Sequence, residues 1–230
     1  MSQLHTEEVY FASNKDSISG YLAHPASGGP FSSILLIPEV FGLVDHIKDV
    51  AERIAREGYL VLAIDLYSRD EERTKNFSGF DEIMQFLSAF NYRQAIEDLE
   101  NAAIYLGDHF QCNGRVSVMG FCMGGGLSME LSTRHISLQS AVVFYGRVLE
   151  PVERVRDIQV PLLAIYGEKD GLMQQVPALR EKLEEYGKTY ELYTYPDADH
   201  AFFNDTRESY HRESAQDAWQ KLLAFFKKYA

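Results

Sequence analysis

Val116-Ser-Val-Met-Gly120-Phe-Cys122-Met-Gly124-Gly-Gly-Leu127 is the stretch from which the fold can be read. A short apolar, β-branched run meets Gly120-Phe-Cys-Met-Gly124, and the residues that follow, rich in Leu, Met, Ser and Glu, can form a helix. The pattern is a buried strand, a tight turn and a helix, with one cysteine at the apex. Strand and helix can approach this closely only where the residues beside the apex lack a Cβ, which gives the flanking glycines a physical reason. The frame matches a G-x-S-x-G nucleophile elbow with sulfur in place of oxygen. A buried cysteine in a glycine-rich turn would read the same way, so the rest of the chain has to decide.

Outward from this stretch, buried-strand signatures recur. Ser33 to Ile37, Tyr59 to Ile64, Ser140 to Tyr145 and Val160 to Tyr166 are apolar runs without polar alternation, as strands covered on both faces require. Between them lie helical spacings. Asp45 to Glu57 places Ile47, Val50, Ala51, Ile54 and Ala55 on one face and stops at Gly58, and the helix from Asn91 to Leu106 has Asn91 as its cap. Val176 to Tyr186 is a helix closed by Gly187, Tyr190 to Tyr195 a strand, and Tyr210 to Lys228 a last amphipathic helix. Two β-prone runs, Val9 to Ala12 and Ile18 to Ala23, are separated by Ser13 to Asp16 and predict an opening hairpin. The segment Asp65 to Asn91 is irregular apart from a short amphipathic piece at Asp81 to Phe90, and reads as a lid or substrate loop or as a surface excursion. These alternations predict an α/β class, a mostly parallel sheet with helices on both faces and an N-terminal β-hairpin. No repeat or linker divides the chain, which points to a single domain over residues 1–230.

Composition narrows the function. The chain has 230 residues, 46% apolar and 24% charged, with 22 basic against 34 acidic side chains for a net charge of −12. Such a surface repels phosphate backbones and anionic lipid, so neither nucleic acid nor membrane is an expected partner. Met1 to Glu8 has neither a basic nor an apolar leader pattern, and the expected location is the cytoplasm. Cys112 and Cys122 bracket a strand that rises about 3.3 Å per residue, too far apart for a disulfide, so both are expected as free thiols.

In an α/β sheet of this kind, chemistry gathers at the carboxyl ends of the strands. A cysteine nucleophile needs a base, and the base needs an orienting group. After the elbow, Tyr166-Gly-Glu-Lys-Asp170 and Asp197-Ala-Asp-His200-Ala-Phe202 follow successive strands, so Asp170 and His200 supply these roles in the order nucleophile, acid, histidine. His5, His24, His109, His135 and His211 lack such context, and His46 reads as a surface residue in a first helical turn. Asp197 and Asp199 are rival orienters, but they lie close enough to His200 in sequence to serve its loop instead. Glu39, just after the strand ending at Ile37, is a further functional candidate, and the backbone N–H groups of Val40 and Met123 are the expected oxyanion donors. A metal centre built from Asp170, Asp197, Asp199, His200 and Asp205 lacks a second histidine or cysteine at ligand spacing. No metal and no cofactor is therefore expected. A third reading keeps the fold but makes Cys122 a thiol sensor or part of a binding module.

Pro38-Glu-Val-Phe-Gly42, Gly120-Phe-Cys-Met-Gly-Gly125, Tyr166-Gly-Glu-Lys-Asp170 and Asp199-His-Ala-Phe202, in this order, resemble the dienelactone hydrolase (carboxymethylenebutenolidase) family across nearly the whole chain. The resemblance implies an α/β-hydrolase fold, a catalytic triad of Cys122, Asp170 and His200, and a small lactone or ester as substrate, cleaved through a thioester. It implies that Glu39 faces the resting thiol until substrate binds. The family's lactone carries a carboxylate held by arginines, for which Arg69, Arg73 and Arg207 are candidates although their spacing departs from the family's. Tyr145 and Phe202 are candidate pocket residues. The alternative within this reading is a broad-specificity carboxylesterase or thioesterase acting on uncharged substrates.

Overall fold

The computed structural model describes residues 3–230, which group into two compact units, Met1–Gly114 and Arg115–Ala230. The first unit contains the strands β1 (Leu4–Ser13), β2 (Asp16–Pro25), β3 (Phe31–Ile37) and β4 (Leu60–Ile64), hydrogen-bonded in the order β1-β2-β4-β3. β1 and β2 form the expected hairpin, in register from Leu4 opposite Pro25 to Ser13 opposite Asp16, with Asn14 at φ 54° in the turn. Both strands run further than the apolar pattern predicts. The extra length of β1 is His5 to Glu8, exposed polar residues that backbone pairing holds extended while contributing no hydrophobic signal. β2 meets β4 antiparallel, and β3 meets β4 parallel.

Helix α1 (Asp45–Arg56) packs against β2 and β4 through Ile47, Val50, Ala51, Ile54 and Ala55, the face read from the spacing. It ends where Gly58, at φ 97°, turns its N–H onto the Ala55 carbonyl at 3.0 Å. His46 departs from expectation. It is buried, 5% exposed, because this first turn faces the protein and not water. The irregular segment holds one short helix, α2 (Phe80–Ala89), with no buried residue. α3 (Tyr92–Gly107) follows, capped as expected by Asn91, whose side-chain oxygen accepts the Gln94 N–H at 3.2 Å.

The second unit is all-parallel in its strand pairings. β5 (Cys112–Phe121), which starts at the end of the first unit, β6 (Leu138–Phe144), β7 (Leu162–Gly167) and β8 (Tyr190–Tyr195) lie side by side in chain order. Helix α4 (Met123–Leu131) packs on β6, α5 (Val176–Glu185) precedes β8, and α6 (Arg212–Tyr229) packs on β6 and β7. The connections need helical crossovers, as parallel neighbours do. β7 is buried along its whole length, and each large aliphatic side chain taken out of water in this way contributes about 1.5–3 kcal/mol. The sequence leaves a 3-10 turn at Val152–Asp157 unpredicted, and α6 starts two residues later than expected because the His211 side chain caps it by accepting the Ser214 N–H. Among the described residues, no helix is long and apolar enough to cross a membrane.

Candidate active site

Cys122 sits between the last residue of β5 and the first of α4, at φ 54° and ψ −116°, a region that side chains other than glycine enter only when the surroundings hold them there. The holding groups are visible. Its N–H donates to the Phe144 carbonyl of β6 at 3.0 Å, and its carbonyl accepts the Gly126 N–H of the helix at 3.1 Å. A Cβ at Gly120 would run into the Gly124 carbonyl, so the bend is closed to any residue but glycine. The N-terminus of α4 begins directly behind the thiol, with the Met123 N–H in its first turn.

Asp170 and His200 reach the same place from the ends of β7 and β8. The Glu168 N–H bonds the Tyr195 carbonyl at 2.9 Å and the Lys169 N–H bonds the Ala198 carbonyl at 3.0 Å, so the two loops are tied together before either reaches its functional residue. Asp170 is buried. One carboxylate oxygen accepts the Leu172 N–H at 2.8 Å, capping a short 3-10 turn, and the other lies 2.7 Å from His200 Nδ1. A carboxylate acceptor at that distance assigns the proton to Nδ1 and leaves Nε2 as the basic nitrogen. Cys122 is near enough to the ring to act on its charge. Burial disfavours the charged imidazolium, but the Asp170 carboxylate and, once it is anionic, the Cys122 sulfur outweigh it, so the His200 pKa of about 10 belongs to the ring after it has taken the thiol proton. The His200 side chain keeps 35% of its surface accessible. Asp199 orients the loop by accepting the His200 N–H at 2.7 Å, Asp197 pairs with Lys169 at 3.4 Å, and Ala201 turns the chain at φ 61°.

Tyr145 lies against the His200 ring, with ring centroids 5.0 Å apart, while Phe202 stands behind it, 5.7 Å from Tyr145. Both are fully buried. Tyr145 is itself at φ 39°, held by its N–H to the Ile165 carbonyl at 2.7 Å. Tyr166, quoted in the sequence only as a strand residue, donates its hydroxyl to the Gly146 carbonyl at 2.9 Å and so braces the turn that carries Tyr145. Burial and the nearby Asp170 charge raise its pKa well above the usual phenol range.

In the first unit, Glu39 and Val40 are almost wholly buried, 1% exposed each, in the turn after β3. The Glu39 carbonyl accepts the Gly42 N–H at 3.0 Å, and the Val40 carbonyl accepts the Tyr67 hydroxyl at 2.8 Å. Sequence reasoning missed Tyr67. A tyrosine directly after a buried strand carries a hydroxyl that needs a partner, but nothing in the sequence names that partner.

The three arginines fare differently. Arg69 makes a two-pronged contact with the buried Asp98, at 2.6 and 2.9 Å, and adds a 2.6 Å bond to Asp16. The hydrogen bond to Asp98 is the main reason its pKa is raised, and a guanidinium held this way braces the fold and is not available to a substrate carboxylate. Arg73 reaches Glu8 and Ser19, both at 3.2 Å, and Arg207 is exposed. Among the described residues, no three His, Cys, Asp or Glu side chains are grouped to hold a metal ion, and both cysteines are free thiols.

Comparison with known proteins covers the chain as a whole. The family model described as the dienelactone hydrolase family matches residues 18–230. A Yersinia pestis protein provisionally named a carboxymethylenebutenolidase is 32% identical, with 97% of this chain and 88% of its own covered. A similarly named protein of Saccharolobus solfataricus is 32% identical, covering 96% and 98%. A crystal structure from Klebsiella pneumoniae, provisionally named a dienelactone hydrolase, superposes with a TM-score of 0.91 at 31% identity, over 99% of this chain and 100% of that one. The chain belongs to the dienelactone hydrolase family, with its α/β-hydrolase fold.

Proposed function

We propose that this chain hydrolyses small esters or lactones with Cys122 as nucleophile, His200 as base and Asp170 as orienting acid. The observation that carries the reading is the imidazole held at 2.7 Å by a buried carboxylate, with its charge influenced by a cysteine at a strand-to-helix elbow. His200 takes the thiol proton through Nε2, and the sulfur attacks the carbonyl carbon. The oxyanion that forms is assigned to the N–H groups of Val40 and Met123. Its collapse expels the alkoxide, which takes the proton from His200 and leaves a thioester on Cys122. Water, deprotonated by the same nitrogen, attacks the thioester and releases the carboxylic acid and the thiol. The family resemblance adds Glu39 as a carboxylate that keeps the thiol protonated until substrate arrives, and a buried acid directly before a proposed oxyanion donor is consistent with that role.

The engagement of Arg69 with Asp98 and Asp16 favours an uncharged ester or lactone over one bearing a carboxylate. The decisive experiment compares wild type and Cys122→Ala on 4-nitrophenyl acetate, a carboxylate-bearing lactone and a neutral lactone, with mass spectrometry of the acylated enzyme. Loss of turnover by at least about 10⁴-fold, together with an acyl adduct on Cys122 in the wild type, is the expected result. Undiminished turnover in the alanine variant defeats the proposal.

A further inference from the structure

We infer that Tyr67 is a positioning residue for the oxyanion-stabilising turn, acting through its hydroxyl on the carbonyl of Val40. The inference rests on the proposed reading, in which the Val40 N–H is an oxyanion donor.

A single N–H can stabilise a developing charge only if its direction is fixed before the reaction, because a donor that must reorient offers no more than water does. Within a planar trans peptide, N–H and C=O point in opposite directions, so fixing the carbonyl fixes the N–H. The peptide that carries the Val40 N–H has Glu39 as its carbonyl, and that carbonyl accepts the Gly42 N–H at 3.0 Å. The next peptide plane is set by its own carbonyl, that of Val40, which accepts the Tyr67 hydroxyl at 2.8 Å. The two planes that flank the Val40 Cα are thus pinned by their carbonyls, which fixes the turn that carries the Val40 N–H.

Tyr67 is held for this task. It is 3% exposed, its N–H bonds the Asp65 carboxylate at 3.0 Å, and its ring is met edge-on by Phe86 and Phe90 at 5.7 and 6.2 Å. The Lys75 ammonium sits 4.9 Å from the ring centroid. Gly42 closes the arrangement. It lies at φ 83°, and a Cβ there would come within 2.8 Å of the Tyr67 ring and 2.7 Å of the Arg73 carbonyl. A backbone bond from the Lys75 N–H to the Phe41 carbonyl at 3.0 Å ties the same turn to the segment after β4. The irregular segment therefore meets the turn after β3 through the Tyr67 phenol and through backbone pairing at Thr74 and Lys75.

The test is Tyr67→Phe, which keeps the ring and removes only the hydroxyl. Two rates are measured on the purified full chain. Acylation of Cys122 by 4-nitrophenyl acetate develops an oxyanion, whereas its alkylation by iodoacetamide does not. The expected result is a fall of about 10–100-fold in kcat and in kcat/KM for the ester, below the 10²–10³-fold cost of deleting an oxyanion donor outright. KM, the alkylation rate and the thermal midpoint should stay close to wild type. An unchanged kcat overturns the inference, and so does a parallel loss of alkylation and acylation, which would mark a general structural role. If Cys122→Ala keeps full activity, the underlying reading fails first, and that outcome is distinct from either of these.

Discussion

At the residue scale, the site is organised by how His200 is held. Its folded pKa is raised from 6.5 to about 10, with burial opposing and the Asp170 and Cys122 partners outweighing it. A histidine whose pKa rises on folding stabilises the folded state fully at pH below its unfolded value of 6.5, and that contribution disappears as pH climbs through about 10. Asp170→Asn removes the carboxylate chiefly responsible for the rise. The stability gap between wild type and this variant, followed by urea denaturation across pH 5.5–10.5, should be widest at the acid end and close toward pH 10. Turnover should drop on the order of 10³-fold, because the ring loses the partner that fixes its tautomer. A gap that does not vary with pH would remove His200 protonation from the account. The placing of Cys122, Asp170 and His200 was legible in the sequence because each follows a strand whose apolar run is unmistakable, so the end of each strand announces where a side chain emerges. His46 was not legible, since its burial depends on which face of α1 meets the protein in the first turn, where the apolar stripe has only begun.

At the scale of elements, the segment after β4 is the part that the sequence described least. Its helix α2 has no buried residue, and Phe80 is 73% exposed. Its anchors are polar and aromatic contacts with residues distant in the chain, and such pairings leave no periodic trace. Arg69 is the clearest case. Beside a run of charges it reads as a surface or substrate-binding arginine, yet it clamps Asp98 of α3 and Asp16 of the hairpin, while Ser13 also donates to Asp98 at 2.5 Å. Arg69→Met should strand a buried carboxylate. Guanidinium chloride unfolding should register a loss of about 2–4 kcal/mol, toward the low end because the arginine is 24% exposed. KM for a carboxylate-bearing substrate should not change. A large rise in that KM at full stability would return Arg69 to the substrate. By contrast, the extents of α1 and α3 and the inner face of α1 match the sequence reading, because packing is written in consecutive turns and the ends in Gly58 and Asn91.

At the scale of the whole molecule, the net charge of −12 acts on every encounter with substrate. Anionic esters are repelled on approach and neutral ones are not, and salt screens the repulsion over a Debye length of about 10 Å at 0.1 M. The ratio of kcat/KM for a carboxylate-bearing ester to that for its neutral analogue should therefore rise, about twofold or more, between 10 and 200 mM salt. A falling ratio would mean that local positive charge outweighs the global field. The fold also concentrates its constraint on one atom. The backbone of Cys122 is secured on one side by a neighbouring strand and on the other by the first turn of α4. What the molecule leaves free is a single rotor, the Cα–Cβ bond, with three staggered stops. With the backbone so held, a ligand that redirects the sulfur has only that one torsion to turn.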